Sequence, residues 1–247
     1  MDRLIYTAVS GLNASMVQQR VIASNMANAQ TVGFRAEVMQ SIPMTLDGAS
    51  LEARALNRSD VEGALMKPGS VTQTGRDLDV ALSGDALLAV QAADGGEGYT
   101  RRGDLAVSAS GVLQDGEGRV VLGANGPITV PAGSQVAIAP DGAVMLANPA
   151  TPDQPPVQID RLKLVDWRGS TIEKDLTGLF RVVGGGVLPV DEEARLTPGS
   201  LEQSNVNLSE VLVEMIEAQR LFDIRTKVIS TARDIDQGSA ALMRLNA

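Results

Sequence analysis

Apolar and small residues recur at alternating steps of three and four near both ends of this chain, while its middle follows a different rhythm. Over residues 3–28 the row is Ile5, Ala8, Leu12, Ser15, Gln19, Ile22 and Met26. Over residues 207–245 it is Val211, Met215, Ala218, Phe222, Arg225, Ile229, Ala232 and Asp236. That alternation is the period of a helix offering one narrow seam to a partner helix. Ser15 and Gln19 weaken the first seam. Arg225 and Asp236 either set the register of a helix pair or mark where the second seam turns to solvent. Asn28 closes the first helix, and Gly33 lies beyond it as a breaker. Asn207 with Glu210 three positions on reads as the start of the second helix. Asp223 and Lys227 read as an i,i+4 pair on its outer face, and Gly238 as the point where its last turn ends or bends.

Between the helices the pattern belongs to strands. All 11 Pro lie between Gly33 and Gly199, and Gly11 and Gly238 are the only Gly outside that interval. Residues 31–75, broken by Pro43, Gly48, Gly63, Pro68 and Gly69, show no sustained period and are expected to form an extended arm with one short strand. Residues 76–196 read as all-β: Leu78, Val80 and Leu82 alternate with polar or small residues, and short apolar runs follow between turn signals such as Asp94-Gly95-Gly96, Asp115-Gly116 and Pro140-Asp141-Gly142. Expected strands are Val120–Leu122, Ile128–Val130, Val136–Ile138, Val144–Leu146, those around Leu162 and Leu164, and Phe180–Val183. Asn148 to Pro156 is a Pro-rich loop. Such spacing suits a small antiparallel sandwich or barrel.

The expected class is α+β. N- and C-terminal helices pair as a coiled-coil-like axial domain around an all-β antiparallel middle domain. The segments are a helix over 1–30, an arm over 31–75, a β-rich outer domain over 76–196 and a C-terminal axial segment over 197–247.

Energetics point the seams toward other copies. Each seam offers four or five substantial apolar side chains, each contributing roughly 1.5–3 kcal/mol on full burial. Ordering some 25 residues costs roughly 1–2 kcal/mol apiece before helix hydrogen bonds offset it. The ends are therefore expected to gain order on assembly. The alternative is a two-helix hairpin docked on the β domain.

Composition removes most other functions. The chain has no His and no Cys, which excludes thiol nucleophiles, Ser-His triads and most zinc sites. A net charge of −9 disfavours nucleic acid and anionic membrane surfaces. No apolar run reaches the roughly 18 residues that span a bilayer, and the start lacks the pattern of a cleaved signal. Asp77-x-Asp79 would share one face of a strand, but no further ligands lie nearby. The Asp94 and Asp115 loops miss calcium-ligand spacing and read as hairpin turns. Gly184-Gly185-Gly186 has no following Lys or helix start, so it is a loop and not a phosphate cradle. No cofactor, metal or small-molecule substrate is expected.

Five segments carry a family signature. Ser24-Asn25-Met26-Ala27-Asn28-Ala29-Gln30-Thr31-Val32-Gly33-Phe34-Arg35 resembles the Asn-Leu-Ala-Asn-x-x-Thr-x-Gly-Phe-Lys/Arg motif of the bacterial flagellar axial proteins, the rod and hook subunits. Gly75 to Leu82, with Leu78, Asp79 and Val80, is similar to that family's entry into its middle domain. Thr197 to Asn207, with Leu201, Ser204, Asn205 and Val206, is similar to its return. Glu214 to Phe222, with Gln219 and Arg220, and Lys227 to Thr231 are similar to its C-terminal block.

The resemblance implies a structural subunit without enzymatic activity, exported through the flagellar secretion apparatus without cleavage. Its partners would be other copies and other rod subunits in the basal-body rod between the two membranes, with the terminal helices as inner tube and the β domain as outer wall. The opening residues, and Ala86-Leu87-Leu88-Ala89-Val90 where distal rod and hook subunits usually carry a Phe pair, favour a proximal rod subunit. A distal rod paralogue and a secreted β-rich adhesin-like module are the alternatives. Within the motif, Asn25 and Asn28 are expected on backbone groups left open at the helix end. Gly33 is expected at positive φ, and Phe34 as an anchor against a neighbour. Asn205 and Asn207 are expected to do the mirrored job on the return.

Overall fold

The computed structural model describes residues 2–45, 55–147, 155–175 and 177–245. The chain forms two compact units: residues 1–27, 37–62 and 207–247, and residues 28–36 with 63–206.

The first unit holds helices α1 (Asp2–Ala27) and α2 (Leu208–Leu245) and the paired strands β1 (Glu37–Thr45) and β2 (Ala55–Ala64). The two helices pack against each other. Along α1, Ala14, Ser15, Val21, Ile22 and Asn25 are buried, and Ala8, Leu12, Gln19 and Met26 are half-buried. The covered face is therefore wider than a 3–4 seam. On α2, Val211 and Ala218 are buried and Met215, Phe222, Arg225, Ile229 and Ala232 half-buried. Every other described side chain of that helix is exposed. Those seven positions follow the 4–3 rhythm read from the sequence. The side chains of Ile5 and Asp236 lie outside the described residues, as do Gly48 and the stretch Asn148–Gln154.

Two expectations change here. Gly238 does not end α2, which continues to Leu245. One interior Gly costs only about 1 kcal/mol, within what its helical neighbours offset. The arm over 31–75 carries three strands, β1, β2 and β3 (Val71–Gln73), in place of one. Pairing supplies their order where side-chain alternation does not, and Pro43 is tolerated because a two-stranded ribbon leaves each strand an open edge.

The second unit is antiparallel throughout its named ladders. In chain order its remaining strands are β4 (Val80–Leu82), β5 (Ala86–Gln91), β6 (Glu97–Thr100), β7 (Ala106–Val107), β8 (Leu113–Gln114), β9 (Leu122–Gly123), β10 (Gly126–Pro127), β11 (Gln135–Ile138), β12 (Ala143–Ala147), β13 (Val157–Arg161), β14 (Leu164–Asp166), β15 (Ile172–Lys174), β16 (Phe180–Val182), β17 (Leu196–Pro198) and β18 (Ser200–Glu202). A five-stranded sheet runs β14-β5-β6-β16-β15 and a three-stranded sheet β11-β12-β13. Ribbons β17-β4, β18-β3, β7-β8 and β9-β10 complete the unit.

β5 organises the core. Leu88 and Val90 face one cluster with Leu105, Leu113, Val121, Ile128, Val144 and Leu164. Leu87 and Ala89 face another with Tyr99, Val165, Phe180 and Leu188. Full burial of a Leu or Val side chain contributes roughly 1.5–3 kcal/mol. Absent from the strands expected above, β5 is covered on both faces and so shows a continuous apolar run in place of alternation.

Candidate assembly site

Four stretches of the second unit converge on one carboxylate. Glu202 lies in β18, and its Oε1 accepts from the backbone N–H of Gly69 at 2.8 Å and sits 2.6 Å from Arg35 Nη1. Its Oε2 accepts from Arg101 Nε at 2.9 Å and Nη2 at 2.5 Å. Arg101 also donates to the carbonyls of Leu82 (2.7 Å), Gly84 (2.8 Å) and Ala86 (2.7 Å), which fixes the turn before β5. Arg35 and Glu202 are each 1% exposed. Burial pushes the Arg101 guanidinium below its ordinary value, Glu202 opposes that shift, and Arg35 reinforces it. Two cations thus share one buried carboxylate, and Arg35 Nε has no hydrogen-bond partner among the described residues.

The motif residues build the rest of this base. Gly33 has φ 67°, its N–H donates to the Glu202 carbonyl at 2.8 Å, and an added Cβ would stand 2.5 Å from the Arg101 carbonyl. Only Gly meets both demands. Lys174 Nζ lies 3.5 Å from the Phe34 ring centroid and donates to the Arg35 carbonyl at 3.2 Å. Phe34 therefore packs against a cation of its own chain. Asn205 Oδ1 accepts from Ala36 N at 2.7 Å, and its Nδ2 donates to the carbonyls of Leu65 (2.7 Å) and Lys67 (2.8 Å). It joins three strands of chain where a helix-end role was expected. Leu201 is buried in β18, Ser204 Oγ accepts from Val206 N, and Asn28 Oδ1 accepts from Thr31 Oγ1.

In the first unit, Asn25 is likewise redirected. Its Nδ2 donates to the Glu37 carbonyl at 3.0 Å and its Oδ1 accepts from the Glu37 N–H at 2.8 Å. The amide thus pairs with extended backbone and not with the end of α1. Asn207 does cap α2: its Oδ1 accepts from Ser209 N at 3.1 Å, and its carbonyl from Val211 N at 3.0 Å. Arg225 Nη1 donates to the Gly11 carbonyl and to Ser15 Oγ, so the polar members of the two seams meet each other. Gln219 and Arg220 are exposed, and Asp223 and Lys227 form no ion pair with each other.

The carboxylate motif resolves into structure. Leu78 is half-buried and Val80 buried, Asp77 is exposed, and Asp79 is buried with its Oδ2 accepting from Thr74 Oγ1 at 2.6 Å. Its carbonyl accepts from Gly199 N, so it clamps the entry and return of the chain. Asp94 Oδ1 accepts from Gly96 N, and Asp115 Oδ1 from Glu117 N and Arg119 N, as turn residues do. Among the described residues no cluster of acidic side chains is placed to hold a metal.

Sequence reasoning missed Arg101, Glu202 and Lys174 as members of this site. Each is an ordinary charge until its distant partner is known.

Comparison with known proteins bears on the same segments. Residues 5–35 match the family described as flagella basal body rod protein, residues 81–146 the flagellar hook protein FlgE/F/G D1 domain, and residues 197–242 the flagellar basal body rod FlgEFG protein C-terminal. The chain is 43% identical to the flagellar basal-body rod protein FlgF of Salmonella typhimurium over 246 residues, covering 97% of each. The chain belongs to the flagellar basal-body rod protein family. Its similarity to FlgF of Escherichia coli is 42% over 95% of each chain. To FlgG of Bacillus subtilis it is 31%, over 99% of this chain and 100% of that one. The family matches span α1 with the Gly33 turn, the β5 region, and the return through Glu202 into α2.

Proposed function

We propose that the chain is a structural subunit of the flagellar basal-body rod that self-assembles through α1 and α2. One observation carries this reading. While one side of α2 turns toward α1, Leu208, Leu212, Ile216, Ile224 and Val228 stand exposed elsewhere on the same helix, with Ile216 at 65%. All five lie at multiples of four residues, one oblique ridge broken at Arg220. A row of exposed large apolar side chains on one helix is the kind of surface that marks a protein interface. On α1, Val9 and Met16 are exposed seven residues apart in the same way.

In this reading the α1–α2 pair is a coiled-coil-like axial element within an inner tube. Assembly takes place with other copies and other rod subunits after export by the flagellar apparatus, between the two membranes. No described helix is long and apolar enough to cross a membrane. Identities of 43% and 42% to FlgF proteins against 31% to a FlgG support the proximal over the distal position. Deleting the gene in its host is expected to abolish motility and leave basal bodies without a complete rod, restored by the intact gene. Normal hook-basal bodies in the deletion strain would overturn the reading.

A further inference from the structure

α2 also carries a matched charge pattern. Glu210 and Glu217 are exposed and stand seven residues apart, and exposed Val213 lies three and four positions from them. Ten residues on, Arg220 and Lys227 repeat the seven-residue charge spacing with opposite sign, and exposed Ile224 lies between them, eleven residues beyond Val213. Val213 and Ile224 are each 57% exposed. From Leu208 to Gln219 the helix has three carboxylates and no cation, and from Arg220 to Arg233 four cations and one carboxylate. Among the described residues Glu210, Glu217, Arg220 and Lys227 form no ion pair.

We infer that the outward face of α2 docks on α2 of a second copy pointing the same way and displaced by ten residues, about 15 Å along the helix. Glu210 then meets the neighbour's Arg220 and Glu217 the neighbour's Lys227. The inference rests on the rod reading, since a tube requires its copies to point one way. Two parallel helices in register would set each carboxylate on its own copy, and the slide replaces that repulsion with two opposite-charge pairs. Exposed ion pairs contribute little adhesion. They select the register, and the bracketed Val213 and Ile224 with Ile216 supply the apolar contact. A slid contact leaves one charged half of each helix unused, so it propagates and does not close.

The absence of native cysteine makes cross-linking clean. Glu210→Cys and Arg220→Cys chains would be co-expressed in the deletion strain and the isolated basal bodies oxidised. Expected is a disulfide-linked dimer at least about fivefold above either variant alone and above a Glu210→Cys with Lys227→Cys mixture. Equal yields, no cross-link in a motile strain, or dominance of the 210–227 pair, which an antiparallel contact gives, would overturn the register while leaving the rod reading intact. A second strain guards against poor assembly of the cysteine variants. In one chain Glu210→Arg is combined with Arg220→Glu, and swarming should recover at least about threefold over either single reversal. No recovery overturns the register. Failure of the intact gene to restore motility overturns the rod reading itself.

Discussion

Arg101 and Glu202, 101 positions apart in sequence, meet as a buried fork in which two guanidinium nitrogens hold one carboxylate oxygen. The remaining Arg101 donors are used on the carbonyls of Leu82, Gly84 and Ala86, and the other Glu202 oxygen serves Gly69 and Arg35. Removing the carboxylate strands two buried cations. Glu202→Ala is therefore expected to cost about 3–5 kcal/mol, read as a fall in the urea midpoint of the purified chain. Arg35→Met should cost clearly less, because Glu202 keeps Arg101 and Gly69 while an unpartnered Nε is removed. Equal losses in the two variants would contradict this division of roles.

Gly33 and Gly11 behave oppositely in the fold. Gly33→Ala forces a side chain into positive φ and onto the Arg101 backbone. The conformational part alone costs about 1–2 kcal/mol, and the overlap adds to it, so a thermal midpoint lowered by several degrees is expected.

Gly11→Ala places its Cβ 3.6 Å from Arg225 Nε, ordinary contact distance, inside a helix. The gain in helix propensity of about 1 kcal/mol should raise both helicity by circular dichroism and the melting temperature. A fall in either would show that close helix approach, not tolerance, keeps this position small.

Much of this architecture is legible in the residues. The 4–3 spacing of Val211, Met215, Ala218, Phe222, Arg225, Ile229 and Ala232 sorts covered from exposed positions because helical periodicity is local. The strands β11 and β12 stand out as short apolar runs on either side of the Pro140-Asp141-Gly142 turn signal. β5 does not, since burial on both faces erases alternation. β1 and β2 owe their order to each other and to no pattern of their own. The Arg35, Arg101 and Glu202 cluster is illegible for another reason: a charge carries no mark of which distant charge it will meet. Asn25 was visible as a motif residue, yet its partner Glu37 is chosen by the path of the chain after Gly33.

Asn25 gives a further test. Its amide both donates to and accepts from the Glu37 backbone. Asn25→Asp keeps the shape but sets a carboxylate against a carbonyl, and Asn25→Ala leaves both groups unmet. Each is expected to cost about 1–3 kcal/mol and to speed hydrogen exchange of the Glu37 amide. Unchanged exchange there would sink the assignment.

Asp175 supplies a pH signature. Burial opposes its ionisation, but hydrogen bonds from Thr177 and Arg181 and from the N–H groups of Thr177 and Leu179 outweigh it and hold the carboxyl below 3.8. A depressed folded value means the contribution is present above that pH and is lost as pH falls through the folded value. Asp175→Asn should therefore be less stable than the parent at neutral pH. The gap between their stability curves should close on acidification below about 3.8.

The base formed by Gly33, Ala36, Glu202 and Asn205 has a consequence for the order of folding. α1 ends at Ala27 and α2 begins at Leu208, so pairing them first would close a loop of about 180 residues. Closing so long a loop costs on the order of 4–5 kcal/mol in chain entropy. Once Gly33 N–H is bonded to the Glu202 carbonyl and Ala36 N–H to Asn205, only about a dozen residues separate the helices from a fixed base. Helix pairing then becomes a short-range event. The strands are therefore expected to order first, with α1, although first in the chain, pairing after them.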